Sequence, residues 1–298
     1  MDQMSARERK QVLTSGKNRL YVAALNDRAA SARYFDDKAA FLRRFSRFTG
    51  REFLEITDAT TPTEVEAFLQ RHPVFMAKPR DGMCGKGVEK RRADEFADAQ
   101  ALLSHLRQTG RALLEEVIVQ HAALQSLYPH AVNTVRVVTL SDGRDPHVLY
   151  ACLRVGAGGG VVDNFNSGGL SVPVDLADGT IRMPALNRRG ERFEHHPDTG
   201  VAFRGLRLPL WEESLALVKE AARVAPAVRY VGWDIALTPQ RPVLVEGNPF
   251  PGNGIVQLYG QGPGDRGILP LFEQVVPFRE LKRLCEQAGS GPKAGETD

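Results

Sequence analysis

Two strongly apolar segments, YVGWDIALT at 230–238 and PVLVEGN at 242–248, are separated only by Pro239, Gln240 and Arg241. So short a connection predicts an antiparallel pair of strands. Each run carries one acid, Asp234 or Glu246, among residues of a buried strand, where an uncompensated charge is costly. Pairing the strands brings the two acids together, and Asn248, two residues beyond Glu246, projects to the same face. Two readings of this group stay open. It is a hard-oxygen site suited to magnesium bridging nucleotide phosphates, or it is a buried salt bridge to an arginine followed by an Asn-Pro turn.

The rest of the chain predicts an α+β protein. Its 298 residues, 42% hydrophobic and 25% charged, suit two or three compact folded units. Residues 36–48, DDKAAFLRRFSRF, place Phe41, Leu42, Phe45 and Phe48 at helical spacing behind Asp36 or Asp37 as a cap. TPTEVEAFLQRH predicts a second helix, ending before Pro73, and VFMAK at 74–78 a short buried strand. A helix over 93–108 precedes strands at 112–119, 132–141, 147–155 and 170–174. Residues 182–205 read as a long loop, 211–224 as a helix, and 269–286 as one more helix before a polar tail. The expected organisation is a helical portion over 1–70, a unit with a glycine-rich loop over 71–120, a second unit over 121–288, and a tail over 289–298.

Several function classes are disfavoured. A net charge of +3 is too small to predict nucleic-acid binding. No apolar run approaches the length needed to cross a bilayer, and residues 1–20 lack the apolar core of a signal peptide, so a cytoplasmic protein is expected. Cys84, Cys152 and Cys285 are far apart without a CxxC pair, which predicts reduced thiols. The seven histidines contain no HExxH, so a thiolate or imidazole metal site is not expected.

Further candidates lie upstream. Lys78 leaves its strand into PRDGMCGKG, where Gly82, Gly85 and Gly87 let the backbone approach phosphate closely; the alternative is a surface turn. A P-loop is excluded because no Ser or Thr follows Gly85-Lys86. In NTVRVVT, Arg136 inside a strand suits a carboxylate or phosphate clamp, or it faces outward from a half-exposed strand. Asn133, three residues earlier, falls on the other face of a regular strand and is expected to orient the chain. DNFNSGG at 163–169, with Asn164, Gly168 and Gly169, reads as an anion-binding turn or an ordinary hairpin.

The order of these segments, DDK, VFMAKP with its glycine loop, LLEEVI, NTVR, DNFNSGG, HPDTG, GWD and VEGNPFPGN, resembles the ATP-grasp superfamily over residues 26–260. It is most similar to the sugar-transfer-associated ATP-grasp proteins. The resemblance implies two α+β subdomains gripping ATP, with a reduced helical N-terminal portion. It implies phosphate contacts from Lys38, Lys78 and the Gly82–Gly87 loop, which includes Lys86, and an adenine-binding hinge at Glu115, Glu116, Val117 and Ile118. Asp234, Glu246 and Asn248 match magnesium ligands. Gly232 and Val162 stand where related ligases carry arginines, which leaves Arg136 and Arg154, with Asn164, as candidates for the catalytic polar groups. The implied reaction is ADP-forming and magnesium-dependent. A small-molecule carboxylate is phosphorylated by ATP and then joined to an amine or hydroxyl acceptor, in cell-surface polysaccharide or related biosynthesis. A kinase that retains the phosphoryl group and a nucleotide-binding module without turnover are the alternatives.

Overall fold

A computed structural model of the chain describes residues 6–80, 87–160, 162, 163, 165, 168–253, 257 and 267–287. Eleven strands are described: β1 Phe53–Glu55, β2 Val74–Lys78, β3 Glu89–Arg92, β4 Leu113–Glu116, β5 Thr134–Ser141, β6 Pro146–Val155, β7 Leu170–Val174, β8 Ala185–Leu186, β9 Arg192–Phe193, β10 Tyr230–Leu237 and β11 Pro242–Asn248. They form a four-stranded sheet in the order β1-β4-β2-β3 and a seven-stranded sheet in the order β11-β10-β5-β6-β7-β8-β9.

The small sheet shows how alternation sorts side chains. Phe75 and Ala77 of β2, with Leu114 of β4, are buried against Val65 and Phe68 of helix Pro62–Arg71 and Leu102, Leu103 and Leu106 of helix Ala99–Gln108. The first of these helices starts with a capping box, Thr61 accepting from the Glu64 N–H while Glu64 accepts from the Thr61 N–H. Because Phe75 and Ala77 face the helices, Met76 and Lys78 face the opposite way. Glu115 pairs with Met76 in the register and therefore shares the Lys78 face.

The large sheet has one largely apolar face. Val135, Val137, Val231, Trp233 and Ile235 are buried there with Val218 and Ala221 of helix Trp211–Val224 and with Phe35, Phe41, Phe45 and Phe48. The opposite face is divided. Val138, Leu140, Tyr150, Cys152 and Tyr230 lie beneath Tyr21 and Leu25 of helix Ser15–Leu25 and Phe272 and Leu281 of the C-terminal helices. The remainder of that face carries Arg136, Arg154, Asp234 and Glu246.

Several elements differ from the sequence expectation. The helix expected over 93–108 begins as a 3-10 turn at Ala93–Glu95 and restarts at Ala99, where Asp98 accepts from the Ala101 N–H. The helix expected over 269–286 is two, Leu269–Val275 and Phe278–Gln287, because Pro277 between them has no N–H for helical bonding. The 182–205 segment is not a simple loop, since β8 and β9 pair within it and extend the sheet. β1 and helix Ala122–Leu127 were not foreseen, and β1 puts part of the segment read as helical into the small sheet. Among the described residues, no helix is long and apolar enough to cross a membrane. Cys152 and Cys285 are buried free thiols.

Candidate functional site

On the small-sheet side, Glu115 is the centre. Its Oε1 lies 2.8 Å from Lys78 Nζ and its Oε2 accepts from Arg51 Nε at 2.6 Å. Burial would raise the carboxyl, but Lys78 and Arg51 outweigh it and hold Glu115 down at about 2. Arg51 then continues across to the large sheet, donating from Nη1 to the Leu244 carbonyl at 2.6 Å and from Nη2 to the Val245 carbonyl at 3.0 Å. Lys78 is thereby connected, through two side chains, to the backbone immediately before Glu246.

Lys38 opens helix Lys38–Arg44, capped by Asp37, whose Oδ1 accepts from the Ala40 N–H at 3.0 Å. The Lys38 backbone N–H donates to the Arg80 carbonyl at 3.3 Å, and Arg80 itself pairs with Asp37 at 3.2 Å. These contacts seat the start of the helix beside the segment leaving Lys78. Glu116 accepts the Glu52 N–H at 3.0 Å through its side chain, and the half-buried Val117 and Ile118 follow β4. Of the glycine loop, Gly87 is described, in a left-handed conformation with φ +73°. Gly82, Gly85, Lys86 and Asn164 lie outside the described residues, as does Cys84.

On the large-sheet side the hairpin register pairs Asp234 directly with Glu246 and Gly232 with Asn248. Both acids and the amide share one face, as the two-residue spacing predicts. The same face receives Arg136 from β5, opposite Asp234, and Arg154 from β6. Asp234 accepts from Arg136 Nε through Oδ1, and through Oδ2 from Arg136 Nη2 at 2.8 Å and Arg154 Nη1 at 2.6 Å. Burial opposes ionisation, yet the two guanidiniums hold Asp234 well below the usual carboxylate range. The arginine partner weighed as an alternative from the sequence is therefore present, twice over. Gly232 makes space for one of them: a Cβ there would sit 3.1 Å from Arg136 Cδ.

The other acids are driven upward. Glu246 is exposed to solvent, but protein crowds it from the sides and the Asp234 charge adjoins it, and both push its carboxyl up. Asp163 is buried and raised for that reason, although Arg154 Nη2 approaches at 3.4 Å and the Thr134 N–H donates at 2.9 Å. Asn248 Oδ1 accepts the Phe250 N–H at 2.8 Å, so the Asn-Pro turn is also formed. Asn133 is fully buried, reaching the Gln120 side chain and the Leu124 and Tyr128 carbonyls, while its oxygen accepts the Gly156 N–H. It braces the entry to β5 and, unlike Arg136, takes no place on the polar face.

A carboxylate has about four acceptor positions, and three of those on Asp234 are filled by arginine. The fourth is within hydrogen-bonding reach of Glu246, so the pair can share one proton. A divalent cation replacing that proton would meet oxygen donors from Asp234, Glu246 and the remaining lone pair of Asn248, which suits a hard ion. Among the described residues, no group of three His, Cys, Asp or Glu side chains forms a metal cage. Two acids and an amide are the kind of partial set that phosphate oxygens complete.

Sequence reasoning passed over Arg51 and gave Asp163 no role of its own. Arg51 has no motif around it, and only the meeting of the two sheets reveals its partners.

Comparison with known proteins bears on the family and the fold. The chain aligns with a glutathione synthetase from Neisseria meningitidis, 28% identical over 163 residues, a stretch covering 53% of this chain and 46% of that protein. Thus it matches less than half the length of that relative. Among solved structures, the ATP-grasp ligase PsnB, complexed with precursor peptide PsnA2 and AMPPNP, superposes with TM-score 0.51 at 16% identity, over 87% of this chain and 63% of that one. D-alanine–D-alanine ligase from Bacillus anthracis superposes with TM-score 0.50 at 11% identity, over 89% and 72%. At these identities the superpositions establish the α+β ATP-grasp fold. The sugar-transfer associated ATP-grasp family model matches residues 17–275, nearly the whole chain, and the protein belongs to that family.

Proposed function

We propose that the protein is an ATP- and magnesium-dependent, ADP-forming ligase. It phosphorylates a small-molecule carboxylate and passes the acyl group to an amine or hydroxyl, in the biosynthesis of a cell-surface polysaccharide or a related small molecule. The observation that supports this reading is the connection Lys78–Glu115–Arg51–β11, which links the strand of Lys78 to the acid-bearing strand of Glu246. The similarity to proteins named as a glutathione synthetase and a D-alanine–D-alanine ligase supports the ligase class.

In this reading, Glu115, Glu116, Val117 and Ile118 bind the adenine edge. Lys38, Lys78 and the Gly82–Gly87 loop, Lys86 included, hold the phosphates. Asp234, Glu246 and Asn248 would hold magnesium, which when bound draws charge from the phosphate oxygens. Arg136 Nη1 and Arg154 Nε are outside the contacts to Asp234 and Asp163 and remain to receive the substrate carboxylate and the oxygen that becomes negative on acyl transfer. Asn164, the residue after Asp163 in the sequence, is the further candidate for that role. No protein nucleophile is required, because positioning and charge stabilisation supply the catalysis.

Purified protein incubated with ATP, magnesium and pooled carboxylate metabolites labelled with 18O in the carboxyl group tests this directly. Label appearing in free phosphate, with ADP and a condensed product, is the expected result. A phosphorylated metabolite that persists would make the protein a kinase, and ATP bound without turnover would make it a binding module.

A further inference from the structure

Arg51, Glu115 and Lys78 form a triad with side chains 4%, 3% and 15% exposed. Two positive charges share one negative charge, so the group carries a surplus of one positive charge away from bulk water. Arg51 is engaged through all three of its nitrogens: Nε serves Glu115 and the two terminal nitrogens serve the Leu244 and Val245 carbonyls. Lys78 is the most exposed of the three and gives Glu115 only one of its three N–H bonds.

We infer that Arg51 is a positioning residue that makes Lys78 an effective phosphate site, by drawing on the Glu115 charge that would otherwise neutralise the lysine. This rests on the ATP reading above. A lone Lys78–Glu115 pair would be neutral, and a neutral pair attracts a phosphate weakly. With Arg51 on the other carboxylate oxygen, the surplus charge is presented to the cleft through Lys78 alone. Glu115 stays ionised at any ordinary pH, so the division of charge is permanent. Arg51 does this without facing the cleft, which is why its role is invisible as a motif. The ligand that fits the surplus is a polyanion such as a nucleoside di- or triphosphate, in preference to an uncharged nucleoside.

Binding of ADP to the full chain with magnesium, measured by calorimetry, tests the inference. Arg51→Gln is expected to weaken ADP binding at least tenfold and the binding of uncharged adenosine less than threefold. Arg51→Lys keeps the charge and is expected to remain within threefold of the parent for both. Equal losses for ADP and adenosine, or Arg51→Lys as weak as Arg51→Gln, would reduce Arg51 to a strut between the sheets and overturn the inference. If Arg51→Gln does not fold, the charge-restoring pair Arg51→Gln/Glu115→Gln replaces it, with tripolyphosphate as a probe that needs no adenine contact. Binding within threefold of the parent supports the inference, and a tenfold loss overturns it. A parent protein that binds neither ADP nor AMPPNP overturns the nucleotide reading itself, and does so before any variant is made.

Discussion

Asp234 and Glu246 are opposite each other on neighbouring strands, yet their protonation is driven in opposite directions, down by Arg136 and Arg154 and up by crowding and like charge. That division gives them different work. Asp234 fixes two guanidiniums, and Glu246, on the open side, is the acid with free acceptor positions. Glu246→Gln and Asn248→Ala are therefore expected to lower magnesium-dependent turnover by at least a hundredfold while shifting the thermal midpoint by no more than about 3 °C, roughly 1 kcal/mol for a chain of this size. Loss of the folded state in both variants would make them structural. Glu115 yields a prediction of the other kind. Its carboxyl lies at about 2 in the folded protein against an ordinary 4.5, so it adds stability above pH 4.5 that is lost as pH falls toward 2. By linkage the full effect is about 3 kcal/mol. Denaturant unfolding of the parent and Glu115→Gln should show a stability gap that shrinks between pH 4.5 and the acid limit; a gap independent of pH would contradict the ion-pair account.

The element that organises the site is the β10–β11 hairpin. Glu246 and Asn248 flank Gly247, which faces the apolar side, where a Cβ would lie 2.6 Å from Phe35 Cε1 and 3.1 Å from Phe41 Cε2. The aromatic N-terminal helices thus press directly beneath the stretch that carries Glu246 and Asn248. Gly247→Ala should destabilise the protein by about 1–3 kcal/mol through overpacking, and should lower turnover as β11 shifts. An unchanged thermal midpoint would show that the rings move aside freely. This hairpin was readable in the sequence because its turn is short and its acids interrupt strongly apolar runs. Helix Trp211–Val224 and β2 were readable for similar local reasons, each having clear periodicity and clear ends. β1 was not, because three residues carry too little pattern, and the strand exists only by pairing with β4. The short strands β8 and β9 are likewise products of sheet extension, and Pro277 divides an otherwise continuous helical pattern into two helices. Of the site, the acids and Lys78 were legible from their local setting, while the pairing of Asp234 with two arginines depended on strand order.

For the molecule as a whole, the two sheets are joined where function would need them joined. Arg51 ties β4 of the small sheet to β11 of the large one, and the Lys38 backbone holds the segment that leaves β2. The half of the large sheet left uncovered by the N- and C-terminal helices is the half that carries the charged groups. In the proposed reading, nucleotide phosphates would lie between Lys78 on one side and Glu246 on the other. A crystal structure of the protein with AMPPNP and magnesium measures this most directly. The account predicts adenine against Glu115–Ile118, the phosphate chain beside Lys78, and the metal on Glu246 and Asn248; a nucleotide bound elsewhere, or phosphates touching neither Lys78 nor the β11 acids, would contradict it.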